Sequence, residues 1–124
     1  MAPPDVHEGG PIRGGLQLGP PGRWWDDKHF AKELHLRPDQ QRHMDTIFEQ
    51  NRTTLLKRFE TLEQEEQRME ALTRARPLDE NALFSEIDRI EQARADLEKA
   101  NTHVLFEIRG EMDPDQLSRL EEQH

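Results

Sequence analysis

The chain has 124 residues and no cysteine. Without thiols it has no disulfide framework and no thiolate metal site. Hydrophobic residues are scarce at 32%, too few for a broad three-layer core. No apolar run approaches the length of a membrane span. Basic residues do not dominate anywhere, and the net charge of −9 argues against nucleic acid as a partner. The signatures of nucleophilic catalysis are missing too. There is no Gly-x-Ser-x-Gly, and neither Ser85 nor Ser118 has a neighbouring histidine. The glycine-rich start lacks the Gly-Lys-Ser/Thr ending of a phosphate loop, so ATP use is not implied. The chain is therefore not expected to be an enzyme. Met1-Ala2-Pro3-Pro4 shows neither the charged nor the apolar region of a signal peptide.

What is present is charge, 35% of the residues, arranged on helical stripes. Residues 1–22 form a Pro/Gly-rich leader, expected to be disordered because it cannot bury enough to offset its ordering entropy. Residues 23–124 make one helical domain. A short helix is expected from Trp24-Trp25 to about Leu34. From Pro38 to Ala75 nothing breaks a helix, and Phe48, Leu55, Leu62 and Met69 recur every seventh residue. At ~1.5 Å per residue that helix spans roughly 55 Å. Arg76-Pro77-Leu78-Asp79 ends it, with Asp79 placed to cap a second long helix carrying Leu83, Ile90, Leu97 and Val104. Two long stripes joined by a tight break must fold back antiparallel. A last short helix starts at Asp113. The expected fold is all-α: an antiparallel long-helix hairpin with short helices at its open end, four helices in all, paired into a dimer.

Polar residues interrupt both stripes. The folded hairpin brings Asn51 and Asn101 to one level, where they can hydrogen-bond. Arg94 falls near Glu63 and Glu66. The pairs Glu65-Glu66 and Glu121-Glu122 read as solvated faces. His29, His35 and His43 gather near the open end, and His43 stands four residues after Asp39. That makes His35 and His43 the candidates for zinc or another divalent metal. His43 and His103 are about eight residues out of level, so they cannot share one site within a chain. Ile47, Leu56, Phe84 and Phe106 point off the seam or to its margin. Interleaved with Arg52 and Arg89, and with Trp24 and Trp25 beside the leader, they make an amphiphilic surface suited to binding non-native chains.

One short phrase occurs twice. Leu36-Arg37-Pro38-Asp39-Gln40 opens the first long helix, and Met112-Asp113-Pro114-Asp115-Gln116 opens the last short one. Pro is tolerated in a first turn, Asp favours the positive end of the helix dipole, and Gln116 three residues after Asp113 completes a capping box. These phrases, with Lys32-Glu33-Leu34-His35-Leu36 and Glu91-Gln92-Ala93-Arg94, resemble the LTxxQ motif and surroundings of the Spy/CpxP-like proteins, over about residues 24–121. The motif positions are Leu36 and Gln40 in one copy, Met112 and Gln116 in the other. The motif threonine is replaced by Arg37 and by Asp113; Asp113 can still cap, whereas Arg37 has no acceptor to cap with.

The resemblance implies a curved four-helix hairpin that dimerises into a cradle. It implies a periplasmic location, the signal peptide having been removed. It also implies an ATP-independent chaperone or stress adaptor that binds unfolded or misfolded clients without a cofactor. Two alternatives stand beside this: a metal-binding or metal-sensing relative, and a helical dimerisation module with neither client nor metal.

Overall fold

The computed structural model describes residues 22–122. The expected leader over 1–22 lies, except for Gly22, outside the described residues. A 3₁₀ turn at Trp24–Asp26 comes first, followed by α1 (Lys28–Leu34), α2 (Pro38–Arg74), α3 (Glu80–Arg109) and α4 (Pro114–Glu122). No strand occurs among the described residues, so the all-α expectation holds.

The helix starts and stops follow from single side chains. Asp27 caps α1 by accepting from the Phe30 N–H at 3.1 Å, and Asp79 caps α3 by accepting from the Ala82 N–H at 3.1 Å. The expected first helix is therefore split. Asp27 starts a new helix, and the chain before it turns Trp24 and Trp25 inward. α1 ends at His35, which adopts a left-handed backbone with φ 60°. The Leu36 N–H then reaches back to the Ala31 carbonyl at 2.9 Å.

Contacts between α2 and α3 run in reverse order along the two helices. His43 meets Glu111 just past the end of α3, and Asn51 meets Glu107. Glu66 then meets Arg94, and Arg68 meets Glu86. The hairpin is thus antiparallel, and its register is fixed by polar as well as apolar contacts. Asn51 donates to the Ile47 carbonyl at 2.7 Å and to Glu107 at 3.3 Å, and Asn101 is buried.

The core is thickest at the open end. There Trp24, Trp25, Leu34, Met44, Leu55, Val104, Ile108, Met112 and Leu120 form one buried cluster. Trp25 is fully covered, its ring 5.7 Å from Trp24 and 5.8 Å from Phe48. This corrects the reading of the tryptophans as surface groups. Asp45 holds Trp25 there, accepting from the indole N–H at 2.6 Å and from Arg23 at 2.7 Å. Further along, Leu62, Ala93 and Leu97 form a second, smaller cluster. Nearer Pro77, Met69, Leu72 and Leu83 are only half-buried. The hairpin therefore thins from its open end to its tip.

Candidate functional site

The two copies of the repeated phrase meet at the open end. Gln40 and Gln116 lie 76 positions apart and face each other as a reciprocal amide pair, with N···O distances of 2.8 and 2.9 Å. Every hydrogen-bonding position of the two amides is used. Gln40 Oε1 also accepts from the Arg37 N–H at 2.9 Å, and its Nε2 donates to the Glu111 carbonyl at 2.9 Å. Gln116 Oε1 accepts from the Asp113 N–H at 2.8 Å, and its Nε2 donates to the His35 carbonyl at 2.7 Å. Each glutamine therefore closes its own helix start, ties down a loop, and grips its counterpart. Both are buried, and a buried polar network of this kind is stable because it is complete.

The two residues that replace the motif threonine compensate each other. Arg37 cannot cap α2, yet its guanidinium reaches Asp113 at 3.1 Å and Asp39 at 3.2 Å. Slight burial would raise the Asp39 carboxyl, and the bonds and charge of Arg37 outweigh that and hold it below the usual carboxylate range. The glutamine repeat was visible in the sequence as two helix starts. That each amide is the other's partner was not, although both stand third from a helix start and the hairpin returns the second start to the first.

The residues expected to form an amphiphilic surface do not share one patch. Ile47 is half-buried and packs against the open-end cluster rather than standing fully outward. Leu56 is exposed on one flank of α2, beside the partly open Phe59 one turn on. Phe84 and the exposed Ile87 lie one turn apart near the tip. Phe106 is nine residues beyond the buried Leu97, half a turn out of phase, so it stands on the back of α3. Arg52 pairs with Glu49 at 3.7 Å, and Arg89 approaches Glu86 at 4.0 Å. On the flank opposite Leu56 a groove of about 290 Å³ runs along the seam, lined by Asn51, Thr54, Arg58, Asp96 and His103 among others.

The histidines are spread out. His43 Nδ1 lies 3.0 Å from Glu111, and His103 lies 3.2 Å from Glu107. His35 lines a polar cleft with His29, Glu33, Arg119 and Glu122, in which His29 and Glu33 approach to 2.9 Å. His35 and His43 thus face different surroundings. No three His, Asp or Glu side chains are grouped to hold a metal among the described residues. One carboxyl was misread from sequence. Glu65 is half-buried and stands against a buried Glu86, so it is not part of a solvated face. Glu86 lies three residues after Leu83 and four before Ile90, which puts it on the stripe, and that phase was the available signal.

A family model described as heavy-metal resistance matches residues 9–119. No curated protein and no solved structure matches the chain.

Proposed function

The chain belongs to the heavy-metal resistance family, and from that premise we propose that it is an ATP-independent periplasmic chaperone or envelope-stress adaptor that holds non-native proteins. One observation carries the reading. On a hairpin rich in charge, large apolar side chains stand open to water, with Leu56, Phe84 and Phe106 at 46%, 58% and 72% exposure. They are distributed among arginines and acidic residues over several faces. That distribution suits an extended partner of variable sequence, in which many weak apolar and charged contacts add up. No helix among the described residues is long and apolar enough to cross a membrane. The working form in this proposal is a homodimer, which doubles the array.

The test is suppression of aggregation of a model client. Phe106→Ser should weaken it while changing stability by less than about 0.5 kcal/mol, as exposed substitutions usually do. Leu56, Phe84, Arg52 and Arg89 are the other contributors to replace, and Ile47 should matter less because the core already uses it. Added salt should weaken capture, since exposed charges are screened beyond roughly 10 Å at 0.1 M. ATP should change nothing. Undiminished suppression by a variant lacking Leu56, Phe84 and Phe106 would refute this surface.

A second reading is favoured by the family's description and by the His29–Glu33 contact beside His35. In it the protein binds zinc or another divalent cation. Zinc titration by calorimetry should then show micromolar or tighter binding that His35→Ala abolishes, whereas His43, which stands against Glu111 in different surroundings, should matter little. Absence of heat on zinc addition would remove this reading and leave the first.

A further inference from the structure

In the far half of the hairpin a carboxyl group occupies a place the apolar stripe would give to a leucine. Glu86 on α3 is 2% exposed. Across the seam stands Glu65 of α2, its side chain 21% exposed. One nitrogen, Arg68 Nε, lies within 4.0 Å of an oxygen of each, which places the two carboxyl groups side by side across the seam. Glu65 Oε1 and Glu86 Oε2 are both buried and receive no donor from the protein. An ionised carboxylate can only accept. Two ionised groups placed so would repel and leave both oxygens unsatisfied, whereas one proton between them supplies the missing hydrogen bond.

The charged groups that face the pair come from both helices. Arg68 of α2 lies 3.8 Å from Glu65 Oε1 and 4.0 Å from Glu86 Oε1. Arg89 of α3 lies 4.0 Å from Glu86 Oε1. All three contacts exceed hydrogen-bond length, and both guanidiniums are largely in water, where their attraction is weak. Burial pushes the Glu86 carboxyl up, the adjacent Glu65 adds to that, and the two arginines only partly oppose it.

We infer that Glu65 and Glu86 hold one proton between them and act as an acid-closed clasp on the far half of the hairpin. Protonated, the pair joins α2 to α3. Fully ionised, it drives them apart where the core is thinnest. The half-buried Met69, Leu72, Leu83 and Ile90 then lose cover first, and the protein presents more apolar surface as pH rises. The sign follows from linkage. A carboxyl that binds its proton more tightly when folded adds stability fully present below the unfolded value of about 4.5. That stability is lost as pH rises through the higher folded value.

The experiment uses the full chain. Amide hydrogen exchange, corrected for intrinsic rates, is followed from about pH 7 to about pH 5 in the wild type, Glu86→Gln and Glu60→Gln. Glu60 is exposed, so its variant carries the same charge change without the pair. In the wild type, opening of the far half should fall with pH, by about tenfold for each unit separating the folded and unfolded values. Glu86→Gln should already be closed at neutral pH, because its amide donates to Glu65 without a proton. Glu60→Gln should behave as the wild type. Parallel pH profiles for the wild type and Glu86→Gln would overturn the inference. Should Glu86→Gln fail to fold, carbon NMR of the wild-type glutamate carboxyls decides the matter. A glutamate titrating well above the rest supports the clasp, and a uniform set near the ordinary value overturns it.

Discussion

Replacing Gln40 should cost far more than removing a surface amide, and the cost should depend on Gln116. In Gln40→Leu the Arg37 N–H and the Glu111 carbonyl lose the bonds they make to Gln40, while Gln116 keeps Asp113 and His35 and loses its counterpart. Each buried polar group left without a partner costs about 1–3 kcal/mol, so two give about 2–6 kcal/mol. Both groups are only part-buried, which places the expectation in the lower half of that range. Gln116→Leu should cost a similar amount through Asp113 and His35. The double variant should cost less than the sum, because the two amide–amide bonds are lost in either single variant and counted only once in the double. That coupling should be about 1–3 kcal/mol. Gln40→Glu sharpens the test. It keeps the shape, removes both donors and sets a carboxylate against the Glu111 carbonyl and Gln116 Oε1. Its carboxyl will bind a proton more tightly when folded, so this variant should lose stability as pH rises. The assay is urea unfolding followed by circular dichroism, with wild-type slopes required of every variant. Additivity of the two leucine substitutions within about 0.5 kcal/mol would refute the reciprocal pair.

Three further outcomes are expected. Leu97 is 4% exposed in the second cluster, so Leu97→Ala should cost roughly 2–5 kcal/mol in chemical denaturation, and a loss below about 1 kcal/mol would contradict its place in the seam. Burial would raise the Asp45 carboxyl, but the Trp25 N–H and Arg23 outweigh it and hold the group low. Its contribution is therefore present above the unfolded value near 3.8 and lost as pH falls through the folded one, so Asp45→Asn should flatten the acid limb of the stability curve measured by thermal melting. Light scattering at tens of micromolar protein should give the mass of a dimer, and a monomer mass would count against the assembly proposed above.

The sequence by itself determined the elements and their order. Seven-residue spacing in Phe48-Leu55-Leu62-Met69 and Leu83-Ile90-Leu97-Val104 makes two long helices with one apolar stripe each, and the absence of Gly or Pro between Pro38 and Ala75 lets the first run unbroken. Asp79 and the Pro-Asp-Gln phrases set helix starts because capping involves residues within three positions of each other. Those are local facts, and they required the hairpin once each stripe had to be covered. The tertiary structure alone decided the pairings between residues far apart in the chain. Gln40 with Gln116, Arg37 with Asp113, and Glu65 with Glu86 depend on which levels of α2 and α3 coincide. A stripe specifies a face but not a register, since sliding one helix past the other by a turn leaves the same face buried. The tryptophans show the same limit. Nothing in the pair Trp24-Trp25 says whether it faces water, and only Asp45 and Phe48, about twenty residues away, supply the bond and the ring that turn Trp25 inward.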